Sequence, residues 1–259
     1  MRGPPGLIGA IDAADDVAQL ARRIDITQPS VSNWNRVPAQ GVLAVEAVTG
    51  VSRKQVWPDL SSEPAVKDDA LDPVDAARAQ EYALLAALLS CPPSNELLGE
   101  IAHLRGDATP LGCAHAALAE AASEATAKVE REYFELFVGL GRGELLPYSS
   151  YYLTGFLNER PLSRLRDDLA ALGIERVANN FEPEDHAATL CEIMAGLAGR
   201  RFPASAEVQR RFFEKHLASW MGRLFADMET AASASFYRSV GSLGRLFLKI
   251  ETEAFTFAN

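Results

Sequence analysis

The apolar positions of this chain recur at intervals of three and four, the spacing that places them on one face of an α-helix. From Val74 to Ser90 they fall at Ala77, Tyr82, Leu85, Leu88 and Leu89. Cys91-Pro92-Pro93 ends that pattern, because proline cannot donate to a further turn. A shorter helix is expected over 94–104, and Leu111 to Val138 reads as one long alanine-rich helix ending in Tyr133, Phe134, Leu136 and Phe137. Gly139 to Pro147 reads as a loop and Tyr148 to Leu157 as a short helix. The next helix begins at Pro161, a favoured first residue, and stops at Gly173. Ala187, Leu190, Cys191, Met194 and Leu197 mark a helix within 184–199, and 202–227 and 235–257 add further amphipathic stretches. No segment alternates with the period of two that strands require. The pattern predicts an all-α fold: a large helical bundle over 74–259, a small helical domain over 1–60, and a polar, proline-bounded linker over 61–73.

In the small domain, Asp16 to Trp34 (DVAQLARRIDITQPSVSNW) reads as helix, tight turn, helix. Val17, Leu20 and Ala21 form one apolar face, Asp25 sits in the turn, and Thr27 is placed to cap a second helix that buries Val31 and Trp34. Gln28, Ser30 and Asn33 then occupy the exposed start of that helix, where amide side chains can read adenine edges, and Arg22 and Arg23 are placed to hold phosphates. A helical domain that only packs or oligomerises remains the alternative. The run TQPSVSNW with VPAQGVLAVEAVTGVSRKQVWPDL resembles the Cro-like helix-turn-helix of YdaS-type proteins and phage repressors over residues 10–60. That resemblance implies DNA binding through this domain.

Charge separates the two parts. The chain has 259 residues and a net charge of −10. Residues 1–60 hold Arg2, Arg22, Arg23, Arg36, Arg53 and Lys54 against Asp12, Asp15, Asp16, Asp25, Glu46 and Asp59, so they sum to zero. The whole deficit therefore lies in the remainder, which suits a cationic protein partner rather than nucleic acid. No apolar run reaches the ~18 residues needed to span a bilayer, and the opening MRGPPGLIGAIDAADD lacks the apolar core of a secretory signal. Cytoplasmic residence without membrane insertion is expected. Cys91, Cys113 and Cys191 are widely separated and are expected to be reduced, mostly buried thiols.

Two segments of the large domain carry candidate chemistry. The first, GLGRGELLPYSSYYLTGFL from Gly139, mixes glycines with Tyr148, Tyr151, Tyr152 and Phe156. It lacks the lysine of a phosphate-binding loop, so its glycines read as a turn between helices, and its aromatics as core or as the wall of a peptide groove. The second is Glu182-Pro183-Glu184-Asp185-His186 at a helix start, where acidic residues complement the helix dipole and His186 is one more polar residue of the first turn. His103, His115 and His216 stand at no fixed spacing to it, and no GxSxG elbow exists, so neither a metal site, a cofactor nor a catalytic residue is expected.

Taken together, EYFELFVGLGRGELLPYSSYYLTGFL, PLSRLRDDLAALGI and EPEDHAATLCEIMAGL resemble the TorD/DmsD family of molybdoenzyme maturation chaperones, over about residues 74–259. The resemblance implies an all-helical, non-enzymatic protein that binds the twin-arginine signal peptide and the apo form of a molybdoenzyme while cofactor is inserted before export. The family's aromatic-serine segment maps to Tyr148, Ser150 and Tyr152, and its hinge motif to Glu182, Pro183, Asp185 and His186. Paired guanidinium groups followed by an apolar stretch call for carboxylates beside an apolar face. Asp185, Glu182 and Glu144 are the expected carboxylates, and Tyr148, Tyr152 and Phe156 the expected face. By resemblance, the segment GRGELLPYSSYYLTGFL favours a formate dehydrogenase-like client, with a sulfoxide or amine-oxide reductase and a nitrate reductase as the alternatives. Phe181-Glu182-Pro183 is a candidate hinge, compatible with a monomer or a domain-swapped dimer. The alternative function is a transcription regulator whose helical domain senses a partner or ligand.

Overall fold

One helix of the bundle is apolar and buried on nearly every side. Ala187–Ala198 buries Leu190, Cys191, Ile193, Met194 and Leu197, an all-round pattern that only a central position can satisfy. A computed structural model describes residues 10–14, 16–24, 42–49, 51, 71–125, 128–176 and 182–257. The fold is all-α, with no strand among the described residues. The chain divides into two units, residues 1–70 and 71–259.

In the first unit, α1 (Val17–Arg23) is capped by Asp16, whose carboxylate accepts the Gln19 N–H at 2.7 Å. α2 spans Val42–Thr49. Leu20 and Ala21 of α1 pack with Ala10, Ala14 and Val45, and Val17 lies against them, the face expected from the sequence. Arg22 and Arg23 sit exposed in the last turn of α1. The turn at Asp25 and the second helix with Gln28, Ser30 and Asn33 lie outside the described residues, as do 61–70 of the expected linker and Phe181 of the expected hinge.

In the second unit, α3 (Pro73–Ser90) starts on an Asp72 cap with proline as its first residue. It is followed by α4 (Asn95–Ile101), capped by Ser94, and α5 (Pro110–Glu124), capped by Thr109. The long helix expected over 111–138 is broken: α5 stops at Glu124 and α6 (Lys128–Tyr133) starts afresh, passing into a π-helical turn over Phe134–Val138. No glycine or proline marks this break. A continuous helix would run about 42 Å, beyond the about 33 Å of the longest helix among the described residues, and α6 buries Val129, Glu132 and Tyr133. The chain continues through α7 (Ser149–Thr154), α8 (Arg160–Ala171) and the central α9 (Ala187–Ala198). The stretch expected as one helix over 202–227 is α10 (Ala206–Phe213), a second π-helical turn over Glu214–Ala218, and α11 (Met221–Thr230). α12 (Phe236–Phe257) closes the bundle. α9 packs most extensively on α3, and α12 on α11 and α5.

Helix ends inside this bundle are satisfied by side chains from far along the chain. The Glu132 carboxylate accepts the N–H groups of Ser235 (2.7 Å), Phe236 (3.2 Å) and Tyr237 (2.8 Å), capping α12 across a hundred residues. At the other polarity, the hydroxyls of Tyr237 and Tyr133 donate to the Leu88 and Leu89 carbonyls at 2.8 and 3.2 Å, at the end of α3. Gln209 donates to the Leu197 carbonyl at 3.2 Å, near the end of α9. α3 and α12 are also joined by Arg78, whose guanidinium pairs with both oxygens of the buried Glu251 at 2.8 and 2.9 Å. Of the cysteines only Cys191 is buried; Cys91 and Cys113 are exposed, contrary to the expectation of mostly buried thiols. Burial pushes the Cys191 thiol up to about 12.

Glu132→Ala should leave three N–H groups at a buried helix start without an acceptor, costing about 3 kcal/mol at charged hydrogen-bond strengths. Urea unfolding should show the loss; a change below about 0.5 kcal/mol would remove Glu132 from this role.

Candidate functional site

The glycine-rich loop closes tightly on the helix before it. The Leu145 N–H donates to Leu136 O at 2.7 Å and Glu144 N–H to Glu135 O at 3.1 Å. A side chain at Gly143 would lie 2.6 Å from the Leu136 carbonyl oxygen, and Gly139 adopts a left-handed φ of 64°. These glycines serve the turn. The wide π-helical turn of the preceding residues sets Phe137 and Val138 beside Tyr133 on one surface.

Beyond the loop, the two segments singled out in the sequence meet. Ser149 N–H donates to Asp185 O at 3.0 Å and Ala187 N–H to Pro147 O at 2.8 Å, an isolated antiparallel bridge pairing Tyr148 with His186. Asp185 is 1% exposed. One of its oxygens accepts the Ser150 N–H at 2.8 Å and the hydroxyls of Ser150 and Ser149. Asp185 therefore caps α7, not the helix it precedes. That helix, α9, is capped by His186, whose Nδ1 accepts the Ala188 N–H at 3.1 Å. The His186 ring stacks edge-on against Tyr148 at 5.0 Å between centroids, and the Tyr148 hydroxyl donates to Glu182.

The Tyr148–His186 junction forms one wall of a cleft of about 880 Å³. Tyr148, Glu182 and His186 line it with Tyr133, Phe137 and Val138. Its floor is small: Ala83, Ala86, Ala87 and Ser90 of α3 face Ala188, Thr189 and Ala195 of α9. Glu192 and Arg201, 3.8 Å apart, stand at its edge. Val138 is 51% exposed and Leu140, next in the loop, 97% exposed. The cleft is thus an open groove with a backbone-accessible floor, an aromatic wall and two carboxylates.

The structure separates the residues grouped on sequence grounds. Tyr148, Glu182 and His186 line the cleft, whereas Ser150 and Asp185 lie buried behind its surface and Pro183 is half-buried, accepting the His186 N–H. Glu144, expected beside a guanidinium, instead accepts the N–H groups of Ala232 (2.7 Å) and Ser233 (3.0 Å), which lowers its pKa. Tyr152 packs on Trp220 and donates to Asp227 at 2.9 Å. Phe156 lies beyond the end of α7, 70% exposed. Tyr148 and Tyr152 diverge because Tyr148 is the extended residue before α7 and Tyr152 lies within it, so helical spacing does not relate them. Tyr133, Phe137 and Glu192 were missed; the small-residue stripe of α3 facing that of α9 was the available signal.

Comparison with known proteins bears out both resemblances. Residues 104–226 match the nitrate reductase delta subunit family, and residues 7–65 match the bacterial toxin YdaS family. The chaperone protein TorD of Vibrio atlanticus is 26% identical over 140 residues, covering 50% of this chain and 65% of the relative. TorD of Vibrio cholerae is 29% identical over 136 residues, covering 49% and 61%. TorD of Aliivibrio fischeri is 27% identical over 140 residues, covering 50% and 65%. The matched region spans less than two thirds of the length of these relatives.

Burial lowers the pKa of His186 below its ordinary 6.5, against the opposing pull of Glu182 and Asp185, and protonation at Nδ1 would break its cap. The folded value lies below the unfolded one. The contribution of His186 to stability is therefore intact above about 6.5 and falls as pH drops from there to the folded value. His115, raised by its bond to Glu81, has the opposite sign. Ring-proton NMR titration should give His186 a midpoint below 6.5, with a neutral Nε2–H tautomer; a midpoint at or above that value would refute the assignment.

Proposed function

We propose that the bundle is a non-catalytic chaperone that holds the twin-arginine leader and the apo form of a molybdoenzyme during cofactor insertion, in the cytoplasm before export. The carrying observation is the cleft at the junction of the 147–150 and 182–187 segments, where an alanine floor and an aromatic wall adjoin carboxylates. In this reading the leader's guanidinium groups meet Glu182 and Glu192, and its apolar stretch lies along Phe137, Val138 and the alanine floor. Asp185 and Ser150 act from behind, by holding Tyr148 in place. A formate dehydrogenase-like client is the favoured choice. The TorD names of the relatives and the net charge of −10 favour a protein partner over a small substrate.

The N-terminal unit is proposed to bind DNA, with Gln28, Ser30 and Asn33 reading bases and Arg22 and Arg23 on phosphates. The match to the YdaS family and the exposed arginines at the end of α1 support this. They also sustain a second reading, a transcription regulator whose bundle senses its client.

Calorimetry with a synthetic leader peptide tests the first proposal. Replacing the arginine pair by lysines should weaken binding about tenfold, because bidentate pairing is lost. Ala83→Trp, filling the exposed floor, should abolish binding, while Phe156→Ala leaves it unchanged. Equal affinity for both peptides, or undiminished binding to Ala83→Trp, would sink the reading. For the second, gel shifts on DNA upstream of the gene should show binding whose salt slope falls by about one for each of Arg22→Ala and Arg23→Ala; no shift at low salt would refute it.

A further inference from the structure

A second cavity, about 740 Å³, lies within the bundle between α3, α4, α5 and α12, and it shares no lining residue with the cleft. Leu84, Leu97, Ile101, Leu111 and Phe247 form its walls. At its rim Val74 is 66% exposed, and Leu104 and Ile250 are each 37% exposed, so apolar surface is open to solvent on α3, on α12 and in the segment that follows α4. This is a volume that takes a small organic molecule.

One acidic group in the wall is incompletely satisfied. Glu81, only 9% exposed, lines the cavity. His115 Nε2 lies 2.9 Å from one of its oxygens; the other oxygen is buried and has no hydrogen-bond partner. A buried acceptor without a donor is destabilising, because its lost hydration is not replaced. The terminal torsion of glutamate is soft, so the carboxylate can turn its unused oxygen to an arriving donor at little cost. The other charges of the lining do not supply that donor. Arg78 is committed to Glu251 and Asp75, Glu251 also accepts from Tyr82, and Glu100 and Arg105 stand exposed at the edge.

We propose that this cavity binds a small organic cation, an ammonium group on an apolar body, with the charge at Glu81 and the body among Leu84, Ile101 and Phe247. The single buried acceptor favours such a one-headed ligand over a peptide, whose backbone brings a donor and an acceptor at every residue. The proposal is independent of the cleft and of the leader-peptide reading.

Calorimetry on the full chain, with n-hexylammonium chloride, hexan-1-ol and sodium hexanoate as probes, tests it. Hexylammonium should saturate one site, hexanol should bind about tenfold more weakly, and hexanoate should not bind. Glu81→Gln, which offers an N–H where the cation would sit, should reduce hexylammonium affinity about tenfold and leave hexanol unchanged. Ala77→Phe, adding bulk at the exposed edge of the cavity without touching the Glu81–His115 pair, should weaken both, and covers the case in which Glu81→Gln fails to fold. Tyr148→Ala in the cleft should change neither. No binding of hexylammonium, equal affinity for the alcohol, or hexylammonium affinity unaltered by both cavity variants would overturn the proposal. Tighter binding of a short leucine-lysine peptide than of hexylammonium would overturn the small-molecule class.

Discussion

Buried helix ends need partners, and in this bundle the partners come from distant sequence. A helix leaves N–H groups at its start and carbonyls at its end without intrahelical bonds, and water cannot reach those packed inside. Glu132 caps α12, Asp185 caps α7, Gln209 serves α9, and Tyr133 and Tyr237 serve the end of α3. Each contact is a cap and a tertiary constraint together. Removing one side chain frees a helix end and releases the segment that carried it.

This constraint also builds the cleft. Glu132 and Glu144 bind the 132–145 stretch to the start of α12 and the turn before it, while Asp185 and the backbone bridge bind 147–150 to 182–187. Between those attachments the chain has little freedom, so the aromatic wall of Tyr133, Phe137 and Tyr148 stands fixed against the small floor of α3 and α9. A preformed groove of this kind lowers the ordering cost of receiving an extended ligand. The same attachments consume carboxylates. Of the acids that sequence position makes candidates for a cationic ligand, Asp185 and Glu144 are engaged in capping, and the groove surface presents Glu182 and Glu192.

Much of the architecture was legible in the chain. The apolar spacing around Leu190, Met194 and Leu197 identified the helix that proves central, and the proline and glycine stops at Pro92 and Gly173 correctly ended helices. The segments around Tyr148 and His186 were recognised as a pair and do meet. Two long helices were not seen to break, at Ala125 and near Ser219, because neither break carries a glycine or proline; packing imposes them.

Local periodicity and chain-stopping residues determined that this protein is helical and where most of its helices end. Those properties depend on neighbours within a few residues, so the sequence contains them directly. Which way each polar side chain turns was decided by the tertiary structure alone. An acidic residue at a loop end satisfies its own helix, a distant helix, or a ligand with the same carboxylate, and only the position of the nearest unsatisfied N–H selects among them. Asp185 turned to the buried Ser150 N–H of α7, and Glu144 to the N–H groups of Ala232 and Ser233 in the turn before α12, leaving Glu182 at the surface of the groove.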